Sequence, residues 1–178
     1  EILTAATVSS AQYIDFKSCI SYMDFVNVMA YDMANPSHHH AALYPSSISG
    51  YCTSSQAVEN HLKAGVPKEK LVMGVPFYGK AEKNPTDAYK VFVDAKGKLG
   101  YSIKYRDIVP IVKNGTYMGV TLNRKLHRVW DAKSMVPFLA DDSGRNYLSY
   151  DDPESVEAKG LYVKNGGLLG AMFWEYRS

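Results

Sequence analysis

The 178-residue chain is 46% hydrophobic and 21% charged, which excludes a disordered or low-complexity polypeptide and allows a substantial core. Its formal charge of +2, without any basic run, excludes an electrostatic surface for nucleic acid or acidic membrane. No apolar stretch reaches the ~18 residues of a membrane-spanning helix.

The elements follow in chain order. Residues 2–8 (ILTAATV) read as a buried strand, and residues 11–22 as a short helix with apolar Ile14, Phe16, Cys19, Ile20 and Tyr22. Residues 25–30 (FVNVMA) form a second apolar run that stops on Tyr31 and Asp32, a phenol beside a carboxylate. Residues 33–51 read as a long loop with Pro36 and Pro45. Thr53 or Ser54 can cap the next helix, which ends near Ala64 before Gly65 and Pro67. Residues 71–77 (LVMGVPF) are a third strand, followed by Tyr78, Gly79 and Lys80.

The rhythm then changes. Residues 82–150 carry short alternating stretches at 89–93 and 129–131, a helix at 104–113, and turn signals at Lys96-Gly97 and Asn114-Gly115. Asp151 or Asp152 with Pro153 opens a last helix, which stops at Asn165-Gly166-Gly167. Residues 168–173 (LLGAMF) form a fourth apolar strand ending on Trp174, Glu175 and Tyr176. Apolar strands that alternate with helices predict a parallel, helix-covered sheet, here interrupted by a small α+β insert.

Several signals read as structural. Consecutive His38, His39 and His40 cannot all face one ion without strain, so they read as a solvated loop, and no Cys/His spacing suggests a metal. Asp141 and Asp142 beside Ser143-Gly144 read as an exposed turn, and Trp130 leans towards a core role. Pairing of Cys19 with Cys52 stays open, with free buried thiols favoured. Glu1 leads straight into an apolar segment, which reads as a removed leader or, preferably, an internal cut. Aromatic residues make up 12%, dominated by fourteen tyrosines. This suits stacking on pyranose faces, but dense packing fits equally.

Strand ends are where β/α barrels keep their chemistry. Together DFVNVMAYD, LVMGVPFYGK and GLLGAMFWEY, in this order around an insert, resemble the last strands of glycoside hydrolase family 18, the chitinases and chitinase-like proteins. LTAATVSS resembles the fifth strand, and the stretch through SYDDPESVEAKG resembles the chitinase insertion domain with the return to strand eight. The resemblance implies an α/β fold: strands 5–8 of a (β/α)8 TIM barrel carrying a small α+β insertion domain. It implies barrel strands 5–7 with their helices over residues 1–81, the insertion domain over 82–150, and the last helix and strand 8 over 151–178.

Residue by residue, Tyr31 matches the tyrosine that binds the substrate N-acetyl group, and Met29 and Asp32 line that subsite. Tyr78 matches the tyrosine after strand seven, Trp174 the floor under the central sugar, and Met172 its neighbour. Lys80 stands where many members carry Arg, which exchanges a planar fork for a point charge. The resemblance implies retaining, substrate-assisted cleavage of β-1,4-linked N-acetylglucosamine polymers such as chitin, without cofactor or metal.

The family's general acid is the last residue of Asp-Gly-x-Asp-x-Asp-x-Glu, and that string does not occur in the chain. The acid is expected upstream of Glu1, so the chain alone is expected to be inactive, with open sheet edges inviting self-association or pairing with an N-terminal half. The alternative is a chitinase-like lectin that binds the sugar without turnover. A chitin-directed role implies an extracytoplasmic location.

Overall fold

The computed structural model describes residues 1–34, 37–83, 86 and 90–178. Pro36 of the predicted loop and Tyr89 of a predicted strand lie outside the described residues. In chain order the first elements are β1 (Thr4–Val8), α1 (Phe16–Cys19), β2 (Phe25–Met29), α2 (Ser54–Lys63), β3 (Leu71–Pro76), β4 (Tyr78–Ala81) and β5 (Ser102–Lys104). Then come α3 (Tyr105–Asn114), β6 (Thr116–Tyr117), β7 (Val120–Thr121), β8 (His127–Asp131), β9 (Val136–Ala140), β10 (Asn146–Ser149), α4 (Pro153–Gly166) and β11 (Gly170–Trp174).

Strands β1, β2, β3 and β11 form a parallel sheet in that order. Side chains alternate across it. Val26, Val28, Leu71, Met73 and Val75 face one way and form a core with Phe16, Ala57, Val58 and Val163 of the helices. Fully burying such a side chain contributes about 1.5–3 kcal/mol, so this face carries most of the sheet's stability. Asn27, Met29, Val72, Gly74, Met172 and Trp174 share the opposite face, which carries the polar and aromatic side chains (register Asn27 on Val72, Met172 on Gly74). A buried bond ties helix to sheet: Thr7 Oγ1 lies 2.8 Å from His61 Nε2, and His61 Nδ1 lies 2.7 Å from the Ala57 carbonyl.

Local chemistry sets the helix ends. Thr53 and Gln56 form a reciprocal capping box that starts α2. Asp152 caps α4, with Pro153 at its first position, and left-handed Gly167 ends it. The helix predicted over 11–22 shrinks to α1 and one 3-10 turn, because Ala11 sits at φ +57, outside helical space.

The second sheet is antiparallel, ordered β5-β4-β10-β9-β8, and packs α3 onto its own core of Ile103, Ile108, Ile111, Leu139, Leu148 and Tyr150. It takes in Tyr78–Ala81, so these residues, read from sequence as the tail of the third strand, form a separate strand. Gly79 permits this. A Cβ there would lie 2.9 Å from the Ser149 carbonyl and 3.0 Å from Tyr150 Cβ.

Two loop readings are corrected. His39 and His40 are buried, because the segment after them (Ala41, Ala42, Leu43) enters the core and draws them in. His39 Nε2 reaches Asp131 of β8 at 3.1 Å, and the His40 backbone N–H donates to Ser149 Oγ at 3.0 Å, so the loop ties one sheet to the other. Asp141 is also buried, accepting hydrogen bonds from Arg124 and Tyr147, while its neighbour Asp142 is exposed. Cys19 and Cys52 are both free thiols, Cys52 buried. Trp130 is half-buried beneath the Arg128 guanidinium, 5.2 Å from the ring.

Candidate functional site

The site grows from the C-terminal ends of β2, β3 and β11. Strand β2 delivers Tyr31 and Asp32 to the rim, where Asp32 adopts φ +60. Aspartate tolerates this left-handed conformation better than most residues. The turn lifts the Asp32 carboxylate towards β4. There Tyr78 Oη donates to Asp32 Oδ1 at 2.7 Å, and Lys80 Nζ lies 3.3 Å from the same oxygen. The Tyr51 hydroxyl donates to the Asp32 carbonyl at 3.3 Å.

The electrostatics follow from this crowding. Burial raises the pKa of Asp32, but the Tyr78 hydrogen bond and the Lys80 charge oppose it, and the folded value lies at about 2. Asp32 is therefore a carboxylate at any ordinary pH. Burial, and then the Asp32 charge, raise the Tyr31 phenol, and burial with the hydrogen bond to Asp32 and its charge pushes Tyr78 well above the usual tyrosine range. Both remain neutral hydroxyl donors. Their rings meet edge to face, with centroids 6.1 Å apart. Lys80, on β4, lies over the ring of Tyr101 at 4.6 Å, so the residue leading into the neighbouring β5 steadies its ammonium.

Gly74 makes room for this cluster. A Cβ on Gly74 would lie 2.9 Å from Tyr31 Cε1, 2.9 Å from Met172 Cε and 2.6 Å from the Val28 carbonyl. Tyr31 and Met172 therefore close over a strand that has no side chain at that point. Trp174, two residues beyond Met172 on the same face, is 58% exposed and presents a free aromatic surface at the rim. A cleft of about 310 Å³ is lined by Asp32, Tyr78, Lys80 and Trp174. A second, of about 170 Å³, runs from Asp32 and Lys80 between the rim and the second sheet, against Tyr101 and Asn146.

The structure thus gathers Tyr78 and Lys80 on Asp32, sets the Tyr31 ring against Tyr78, and places Met172 beside Tyr31 and Trp174 across the cleft that Asp32, Tyr78 and Lys80 line. Met29 lies half-buried on the same sheet face, one strand end before Tyr31. Sequence reasoning missed His40, Tyr51, Gly74 and Tyr101. The apolar Ala41-Ala42-Leu43 run was the available signal for His40; nothing local marks the other three. Among the described residues no group of His, Cys, Asp and Glu is placed to hold a metal ion.

This arrangement can grip a neutral, polyhydroxylated ligand. It offers the Tyr31 phenol, one fixed carboxylate acceptor, one ammonium and an open indole face.

Comparison with known proteins agrees. The chain is 31% identical to chitinase A1 of Niallia circulans, over 98% of its own length and 27% of that protein's. It is 29% identical to chitinase B of Serratia marcescens, covering 93% of the chain and 42% of the relative. The chain thus spans less than half the length of these curated relatives. Among solved structures, a family 18 N-acetylglucosaminidase from Paenibacillus barengoltzii superposes with a TM-score of 0.76 at 30% identity, over 99% of the chain and 52% of that structure. A class V chitinase from Nicotiana tobaccum in complex with NAG4 superposes at 0.65 and 27% identity, over 98% of the chain and 51% of that structure. The parallel sheet with its helices is accordingly part of a (β/α)8 barrel. The sequence model described as glycosyl hydrolases family 18 matches residues 1–178, and with the barrel sheet and the rim it carries, the chain belongs to that family.

Proposed function

We propose that this chain supplies the sugar-binding rim of a retaining glycoside hydrolase that cleaves β-1,4-linked N-acetylglucosamine polymers by substrate-assisted catalysis. The observation that carries the reading is the convergence of Tyr31, Asp32, Tyr78 and Lys80 opposite the exposed face of Trp174. In such a reaction the acetamido oxygen of the substrate attacks its own anomeric carbon and forms an oxazolinium-type intermediate. The Tyr31 hydroxyl is the donor that holds the acetamido group in line and stabilises the charge that develops on it. The Asp32 carboxylate, anchored by Tyr78 and Lys80, accepts from the sugar, and Trp174 with Met172 forms the floor. Residues 82–150 supply the insertion domain that walls the cleft. The acid that protonates the leaving group belongs to a part of the protein outside these residues, and a polymeric substrate places the work outside the cytoplasm.

Calorimetric titration of the chain with a chitin tetrasaccharide tests the reading. Binding is expected, and Tyr31→Phe should weaken it by up to about tenfold, the effect of losing one hydrogen bond to the neutral acetamido group. Absence of binding to both soluble oligosaccharide and chitin by a folded chain would overturn it. Release of disaccharide by the 178-residue chain alone would overturn the placement of the acid elsewhere.

A further inference from the structure

His40 lies between the rim and a buried ion pair. Its Nδ1 is 3.3 Å from the Asp32 backbone nitrogen and 3.6 Å from Asp32 Oδ1. One ring nitrogen cannot serve both, since the amide needs an acceptor and the carboxylate a donor. The first distance is within hydrogen-bonding range and the second is not. Nδ1 is therefore the acceptor of the Asp32 N–H, and the ring proton sits on Nε2. That nitrogen is buried without a hydrogen-bond partner among the described residues.

An unmatched acceptor of the same kind belongs to Asp151. Its Oδ1 takes Lys159 Nζ at 2.6 Å and Ser155 Oγ at 2.7 Å, while Oδ2 is buried and unpartnered among the described residues. Lys159 is fully buried on α4, and the charges of Asp151 and Lys159 both act on the His40 ring. Ser149, two residues before Asp151, holds the His40 backbone. An orphan donor and an orphan acceptor in one buried region are matched through one bound water.

We propose that His40 is a positioning residue for Asp32, neutral and protonated on Nε2, which couples the rim through its Nε2–H to the buried Asp151–Lys159 pair of α4. Its Nδ1 holds the left-handed Asp32 backbone, so the Asp32 carboxylate stays free for Tyr78 and Lys80. The groups that set its charge are Asp32 from the β2 end, His39 beside it, Asp151 ahead of α4 and Lys159 on α4, with Tyr78 of β4 against its ring. Burial disfavours the imidazolium first, and Lys159 adds to that, against the two carboxylates. The consequence for ligand binding rests on the sugar-rim reading, whereas the ring's proton position does not.

Long-range proton–nitrogen spectra of the ¹⁵N-labelled 178-residue chain test the proton directly. The expected result is an Nε2–H tautomer for His40, with a slowly exchanging proton and a titration lying below that of an exposed imidazole. An Nδ1–H tautomer, or a ring that titrates as an exposed histidine does, overturns the proposal. Two variants then separate its ends. His40→Asn places an amide oxygen at the Nδ1 position, and His40→Gln places an amide at the Nε2 position. Affinity for a chitin tetrasaccharide should stay within about twofold for His40→Asn and fall about tenfold for His40→Gln. Equal affinity in both refutes the positioning role. If the wild-type chain binds no oligosaccharide, the sugar reading fails alone, and the tautomer still decides this one.

Discussion

Asp32 concentrates the site's physics in one residue. Its backbone is left-handed, its carbonyl takes Tyr51, and its carboxylate takes Tyr78 and Lys80. A carboxylate pKa of about 2 in the folded chain, below the ordinary 3.8, has a definite sign. The folded state then favours the ionised form, so the stabilisation is complete above about pH 4 and is lost as pH falls through about 2. The side chain is 51% exposed, so solvent screens much of the effect and the contribution is modest. The stability gap between wild type and Asp32→Asn, from urea unfolding, should therefore narrow as pH drops from about 5 to 2. A gap that does not change with pH would show that the carboxylate's charge contributes nothing.

At the scale of elements, the sheet makes a site by leaving something out. Gly74 lies mid-strand in β3, where a side chain would strike Tyr31, Met172 and the Val28 carbonyl. Backbone cannot yield as a flexible side chain can. Gly74→Ala should therefore destabilise the chain by about 1–3 kcal/mol in urea unfolding, the usual scale of overpacking. It should also displace the Tyr31 ring, visible as a changed ring-proton spectrum. An unchanged midpoint would mean that the strand shifts without strain. Helix α4 offers a second case. Lys159 and Asp151 are paired and almost wholly buried, and Lys159→Met removes the counter-ion from Asp151. Removing one partner of a buried pair typically costs about 3–5 kcal/mol, and a loss under about 1 kcal/mol would show that the pair contributes little to stability.

For the whole molecule, the decisive feature is an unclosed sheet. Among the described residues, strands β1 and β11 each pair on one side only, and the sheet exposes Val8, Phe173 and Trp174 near its ends. Unpaired edges are templates for another chain. The 178-residue chain should self-associate, seen as concentration-dependent sedimentation, and a segment supplying the neighbouring strands should suppress this. A monodisperse monomer across the concentration range would show that the edges are protected. The second sheet has its own core, so its hydrogen-exchange protection should depend less on association than that of the parallel sheet.

The sequence by itself determined the parallel strands, the capped helices and the order of the rim motifs. These rest on information carried within a few residues: apolar runs of strand length, Thr53 and Asp152 with their capping partners, and phenols placed directly after a strand. It also marked Tyr31, Asp32, Tyr78, Lys80 and Trp174 as a group, because each stands at a strand end. Only the tertiary structure decided what those residues touch. Residues 78–81 turned out to belong to the second sheet, since pairing with β5 and β10 is a long-range choice that the local pattern does not express. The histidine run looked solvated because histidine is polar. Yet His39 and His40 are buried, since Asp131, Ser149 and the Asp32 backbone, all distant or hidden in a linear reading, meet their polar atoms. Burial of a polar group depends on a partner arriving from elsewhere in the chain, and only the folded arrangement supplies that partner.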